Sequence, residues 1–138
     1  MSNTCEIDPA LVKKIEAFRF AKRSQGNAAL ICKIDKDRLL VVEDEDEDSI
    51  SLEDLAELLP ENTPRYVVLS YELKHDDGRQ SYPLVFISYT PRGVSPALNM
   101  LYTSAKTHFQ NTVNLGKVVD IQDAETLTDE WMRSQLIR

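Results

Sequence analysis

The stretch RYVVLSYELKHDDGRQSYPLVFISY, residues 65–89, holds the two strongest strand signals in this chain of 138 residues. Arg65 to Lys74 and Gln80 to Tyr89 are rich in Tyr, Val, Leu, Ile and Phe, which suit a pleated, half-buried surface. His75-Asp76-Asp77-Gly78 lies between them. Its Asp-Gly pair fits a tight hairpin turn, because glycine reaches positive φ without a steric penalty. Pro83 offers no N–H to a ladder, so the second strand is expected at a sheet edge or with a bulge there.

Working outward, Ser95 and Pro96 form a helix start, cap followed by first helical residue. Leu98, Leu101, Tyr102, Ala105, Phe109 and Val113 then recur at helical spacing, up to Leu115-Gly116. Lys117 to Ile121 reads as a short strand. Thr128 caps a last helix whose first turn carries Asp129 and Glu130. Leu127 and Met132 are placed for a hydrophobic staple, and Arg133 and Arg138 suit its C-terminal end. On the other side of the hairpin, Ser51 and Asp54 start a short helix with Leu52, Leu55, Leu58 and Leu59 as its apolar face, stopped by Pro60. Ala28 to Ile34 and Arg38 to Glu43 read as strands joined by Asp35-Lys36-Asp37. The first helix has Asp8 as cap, Pro9 at its start and Ile7 as staple. Leu11, Ile15 and Phe18 form its inner face, with Lys13, Lys14, Lys22 and Arg23 toward solvent and Gly26 at its end. Residues 1–7 are expected as a free tail.

The order is helix, two strands, helix, two strands, long helix, strand, helix, with no linker that would divide residues 1–138 into two domains. Five short strands cannot bury both faces of a sheet unaided, so helices must cover both sides of an α/β (α+β) fold. No apolar run approaches the ~20 residues of a membrane span, and residues 1–8 lack a secretory pattern. Cys5 and Cys32 form no spacing motif and read as reduced thiols of a cytoplasmic protein.

The formal net charge of −7 is unevenly spread. Residues 39–64 carry ten acidic and no basic side chains, and the rest of the chain is slightly basic. No basic stripe is present to neutralise phosphates, which argues against nucleic acid as a partner. The run Glu43 to Asp48 reads either as a solvated loop or as a surface that selects or repels charged partners.

Candidate chemistry is sparse. His75 and His108 are the only histidine bases, one in an expected turn and one on the polar side of the long helix; neither sits in a catalytic signature. Cys32, in an apolar run, reads as a core residue. The acidic run has no glycine and no ligand alternation for a calcium loop, and cysteines and histidines lack zinc spacing. No phosphate-binding glycine motif exists. The expectation is a binding protein with no catalytic residue, no metal and no cofactor. Met100 departs from the apolar stripe of the long helix and shares a neighbouring face with positions 97 and 104. It is either a helix-edge packing residue or an exposed apolar anchor for another protein.

Met100-Leu101-Tyr102-Thr103-Ser104-Ala105-Lys106, together with the element order, resembles the actin-depolymerising-factor homology family. Within it, the chain is similar to the glia maturation factors. Phe18-Arg19-Phe20, Asn27-Ala28-Ala29, Lys33-Ile34-Asp35-Lys36-Asp37, His75 through Leu84 and Leu127-Thr128-Asp129-Glu130-Trp131 carry that likeness nearly end to end.

The resemblance implies an actin-depolymerising-factor homology fold, a five- to six-stranded mixed sheet sandwiched between helices. It also implies a function: a monomer that binds the actin-related protein 2/3 complex, suppresses its nucleation and dissociates branches. The implied location is the cytoplasmic cytoskeleton, at actin patches and the cell cortex, with a nuclear pool as a further expectation. Membranes are not among the implied partners. A first interface would comprise Ser2, Asn3, Ala97, Met100, Leu101, Ser104 and Lys106. A second would comprise His75, Asp76, Asp77 and Arg79 at the hairpin tip with Arg133 of the final helix, touching an adjoining actin subunit. Ser2 corresponds to a phosphorylation position, where about −2 charge would weaken docking. The alternative is a cofilin-like actin-binding and severing protein. Severing relatives place basic residues just before the Met, where this chain has Ala97 and Asn99.

Overall fold

Along β2 (Asn27–Asp35), Ala28, Leu30, Cys32 and Ile34 turn to one face of a sheet and Ala29 and Ile31 to the other. Period-two alternation of apolar residues on both faces demands cover on both, and the chain supplies it. The computed structural model describes residues 5–21 and 26–136. Besides β2, its elements are β1 (Glu6–Ile7), α1 (Pro9–Phe20), β3 (Leu40–Ile50), α2 (Leu52–Leu58), β4 (Arg65–Ser70), β5 (Leu73–Lys74) and β6 (Gln80–Ser81). There follow β7 (Leu84–Tyr89), α3 (Pro96–Val113), β8 (Lys117–Ile121), a 3-10 turn (Ala124–Thr126) and α4 (Asp129–Leu136).

The main sheet has six strands in the order β1-β3-β2-β4-β7-β8. The pairs β1–β3 and β7–β8 are parallel and the others antiparallel, which makes the sheet mixed. Helices α1 and α3 cover one face, where Leu11, Ile15, Phe18, Tyr102, Ala105, Phe109 and Val113 meet Leu30, Cys32, Tyr66, Val68 and Phe86. Helices α2 and α4 cover the other, where Leu52, Leu55 and Met132 meet Ile31, Val67, Leu69, Val85 and Ile87. The helix starts follow the caps: Asp8 accepts from the Ala10 N–H, Ser51 from Asp54, Ser95 from Leu98 and Thr128 from Trp131.

Several elements depart from the sequence reading. The acidic run is not a loop but the middle of β3, paired with Ala29 to Cys32. Two register shifts allow this. Ile31 faces Glu45 and Cys32 faces Glu43, so Asp44 is an extra, bulged residue, and a second irregularity follows between Asn27 and Ala29. A bulge reverses alternation, so Glu43 before it and Asp46 after it share a face. Both reach Lys14 of α1, at 2.7 and 2.8 Å, so the solvent-facing Lys14 is engaged in surface ion pairs. The two carboxylates hold the Lys14 ammonium above its ordinary pKa, Asp46 more than Glu43. The bulged Asp44 reaches Arg65 instead, at 3.0 Å. Lys22 and Arg23 lie outside the described residues.

The expected free tail is also corrected for its last residues. Cys5 is buried and Glu6–Ile7 pairs in parallel with Leu40 and Val41, because Ile7 and Cys5 add apolar area to the α1–α3 core. Helix α1 stops at Phe20, well before Gly26. That glycine instead serves a tight passage at φ +77°, donating its N–H to Glu72 Oε2 at 2.8 Å. Leu58, placed on the inner face by spacing, is exposed, and Leu59 takes the inward position. The predicted long strands are each cut in two. Tyr82-Pro83 separates β6 from β7, the missing proline N–H being tolerated at a break rather than in an edge strand; β7 itself is internal. The outer segments, β5 and β6, leave the main sheet as a separate two-stranded arm.

Candidate functional site

Helix α3 is set on the sheet by its aromatic face. Tyr102, Ala105, Phe109 and Val113 are buried, the Tyr66 hydroxyl donates to the Tyr102 carbonyl, and the Tyr102 hydroxyl accepts from the Ile34 N–H at 3.0 Å. With these positions inside, helical geometry turns residues about 180° away to solvent. Ala97, Met100 and Ser104 occupy that outer ridge, all exposed, and Met100 is 73% exposed. Of its two sequence readings, the packing one is overturned: Met100 lies on the outer ridge and is largely solvent-exposed. Pro96, Asn99, Met100, Thr103 and Ser104 line a shallow trough of about 450 Å³ with no charged side chain in it. Ser104 Oγ donates back to the Leu101 carbonyl at 3.0 Å. Leu101 is half-buried against the core, so it borders the ridge rather than standing on it. Lys106 is turned toward β8, where its ammonium pairs with Asp120 at 2.7 Å. Ser2 and Asn3 lie outside the described residues.

The hairpin arm carries the second group. Leu73 faces Ser81 and Lys74 faces Gln80, and the turn closes with the His75 N–H on the Arg79 carbonyl at 2.8 Å. Gly78, at φ +91°, supplies the left-handed residue that Asp-Gly foretells. Asp77 accepts from the Arg79 N–H and pairs with its guanidinium at 2.7 Å, and those two contacts hold its carboxyl below the usual carboxylate range. His75 Nε2 lies 2.9 Å from Ser81 Oγ. Asp76, Asp77 and Arg79 stand exposed at the tip.

Arg133 of α4 does reach this arm. Its Nη1 donates to the Lys74 carbonyl at 2.6 Å, and its Nη2 lies 3.9 Å from Asp76. One turn earlier, the buried Tyr71 donates its hydroxyl to Asp129 at 2.7 Å. Burial foremost, then the Asp129 carboxylate, raises the Tyr71 phenol above its ordinary pKa, so it stays a donor. The two groups sit at opposite ends of β4: Leu98 and Tyr102 line a groove with Thr63 and Arg65 at its start, and the arm leaves after its last residue, Ser70. The strand between those ends is six residues, about 20 Å, long.

Sequence reasoning missed Phe20, which stands 79% exposed at the end of α1 with the Arg19 guanidinium 5.7 Å from its ring centre. Its lone position after the last buried residue of α1, Phe18, was the readable signal. His75 meets only the Ser81 hydroxyl on the arm, with no acidic side chain hydrogen-bonded to its ring among the described residues, and His108 is half-buried on α3 with its carbonyl accepting from the Thr112 hydroxyl. Cys32 is fully buried, and burial pushes its thiol far up. Among the described residues, no cluster of His, Cys, Asp and Glu is arranged to hold a metal, and no helix is long and apolar enough to cross a membrane.

A sandwiched mixed sheet with an exposed ridge on its long helix defines a class. A family model described as cofilin/tropomyosin-type actin-binding protein matches residues 4–137, and the chain belongs to this cofilin and actin-depolymerising-factor family. Within it the chain is of the glia maturation factor type. It is 47% identical over 132 residues to glia maturation factor beta of Homo sapiens, covering 96% of this chain and 92% of that protein. To glia maturation factor of Drosophila melanogaster it is 42% identical, with 96% and 95% covered. The solution structure of glia maturation factor from Caenorhabditis elegans matches with a TM-score of 0.80 at 34% identity, over 98% of this chain and 99% of that one. Streptomyces griseoflavus cofilin, at 20% identity, 97% and 98% coverage and a TM-score of 0.81, shows the shared fold.

Proposed function

We propose that this chain regulates branched actin networks by binding the actin-related protein 2/3 complex, suppressing its nucleation and promoting release of branches. The observation that carries the reading is the uncharged trough around Met100, whose thioether chain stands 73% exposed on an otherwise well-packed helix. A flexible apolar side chain on a firmly seated helix is the kind of anchor that fills a groove on a partner. The hairpin arm, at the other end of β4, touches the adjoining actin subunit, so one small monomer meets two subunits at a branch. Ser2 and Asn3 extend the first interface, and a phosphate on Ser2 weakens it. The protein acts by differential affinity for one state of the complex and not by catalysis. Its place is the cytoplasmic actin cytoskeleton, at patches and cortex, with a nuclear pool.

Cofilin-like binding and severing of filaments is the second reading, favoured by the family's description as actin-binding. Against it, Ala97 and Asn99 bring no charge to the ridge, and Lys106 is already paired with Asp120. The deciding experiment is a pull-down of purified actin-related protein 2/3 complex, with filamentous actin in parallel, using wild type and Met100→Asp. A carboxylate buried at an anchor costs several kcal/mol, enough to abolish micromolar binding. Capture of the complex, lost in the variant, supports the proposal. Capture of actin alone moves the reading to severing, and capture of neither refutes both.

A further inference from the structure

We propose that Arg133 and Tyr71 are positioning residues that latch the hairpin arm to α4, so that arm and helix dock as one rigid surface. The inference rests on the reading of the arm as a partner-binding element and goes beyond it in saying what aims the arm. An arm of two residue pairs cannot hold its own shape in water, since an isolated two-stranded hairpin is marginal at best. Its direction must come from contacts with the body. The base of the arm is seated by Leu73 in the core and by the Glu72 N–H on Asn27 Oδ1 at 2.7 Å, and α4 adds two contacts beyond that seat: Arg133 Nη1 donates to the Lys74 carbonyl at 2.6 Å, and Tyr71 donates to Asp129 at 2.7 Å. Tyr71 and Lys74 bracket the point where the chain leaves the main sheet and enters the arm. On the helix, Asp129 and Arg133 are four residues apart and lie on one face. Two rungs therefore join two successive positions of the helix to two ends of one short segment, which fixes angle as well as distance.

The return strand is tied less firmly. The Tyr71 N–H donates to the Pro83 carbonyl at 3.1 Å, and the Tyr82 hydroxyl lies 3.4 Å from Glu72. Arg133 thus spends its best-formed hydrogen bond inside the molecule, with only a 3.9 Å approach to the exposed Asp76. That commitment separates a positioning role from a direct contact with the partner.

The test is hydrogen exchange of amides 73–81 in wild type, Arg133→Gln, Arg133→Lys and Tyr71→Phe, with branch-release rates and capture of the complex measured on the same proteins. Latching requires at least about tenfold faster exchange in the arm of Arg133→Gln, with β4 and β7 unchanged. It also requires slower branch release while capture through the Met100 ridge stays within about twofold. Arg133→Lys restores charge but not the fork, so it recovers release only in part. Slower release with unchanged exchange overturns the proposal and makes Arg133 a direct contact. Faster exchange with normal release overturns it too, as does no change in either. Should Arg133→Gln fail to fold, Tyr71→Phe breaks the other rung without a cavity and is judged by the same outcomes. If wild type neither captures the complex nor releases branches, the functional reading fails. Exchange alone then decides whether the latch exists.

Discussion

Tyr66 of the central strand and Phe109 of the long helix stack with ring centroids 4.8 Å apart and planes at 18°. The pair settles which way α3 faces. Met100 precedes Phe109 by nine residues, which at about 100° per residue places it diametrically across the helix. The ring that anchors the helix and the thioether that leaves it are thus two ends of one diameter.

That geometry separates stability from binding. Phe109→Ala removes a fully buried ring stacked on Tyr66 and tilted against Phe86, and is expected to lower unfolding free energy by about 3–5 kcal/mol in urea titration. Met100→Ala removes an exposed side chain and is expected to change it by less than about 0.5 kcal/mol while weakening capture of the complex. A large stability loss in Met100→Ala would show that the ridge is part of the core.

Charge on the ridge should redirect the protein. Ala97 and Asn99 are exposed and open to longer side chains. The double variant Ala97→Lys with Asn99→Lys is expected to raise co-sedimentation with filamentous actin by about fivefold or more, charge-assisted contacts being worth about 1.5–3 kcal/mol each. Unchanged co-sedimentation would mean that these positions do not govern the choice between actin and its relatives.

The acidic run lies along an edge strand. Among the described residues, strand β1 pairs with β3 only at Leu40 and Val41 and most of the outer ladder of β3 has no partner, and Glu43, Glu45, Asp46 and Asp48 stand exposed along it. Like charges discourage a second copy from adding there. Glu45→Gln with Asp48→Asn leaves the Lys14 pairs intact. It is expected to raise self-association in sedimentation velocity, most strongly at high salt, where the remaining carboxylates are screened. A variant that stays monomeric at every ionic strength would remove this role.

Alkaline pH should unfold the protein earlier than its carboxylates suggest. Burial raises the Cys32 thiol and the Tyr66 phenol. Both are therefore neutral in the folded state at pH values where the unfolded chain ionises. For such groups stability is complete below the unfolded pKa, about 8.5 for thiol and 10 for phenol, and is lost as pH rises above it. Stability is expected to fall by about 1.4 kcal/mol per pH unit per group past those values, and the thiol to resist Ellman's reagent at pH 8. Cys32→Ala should make that decline shallower, the buried Cys5 thiol, also raised by burial, contributing the rest; an unchanged slope would assign it to other groups.

The readable features were the local ones. Asp8, Ser51, Ser95 and Thr128 each cap within three residues, and apolar spacing named nearly every inward residue of α1 and α3. The Asp-Gly turn was equally local. Leu58 was misread because the short α2 ends before its periodicity can be established. Of the candidate site, the ridge followed from a break in periodicity at Met100, but its exposure did not, since a Met at a helix edge is as often packed as free.

The sequence alone thus determined the order of the four helices and of the five strands β2, β3, β4, β7 and β8, the caps, the two-sided burial of the strands and the hairpin tip. Each depends on residues a few positions apart, where geometry is fixed by the backbone repeat. Only the tertiary structure decided that the carboxylates lie in an edge strand, that Cys5 and Ile7 belong to the core, and that Arg133 donates to the Lys74 carbonyl 59 residues away in the chain. Those outcomes depend on a bulge, a parallel pairing and a long-range hydrogen bond, which local periodicity does not encode.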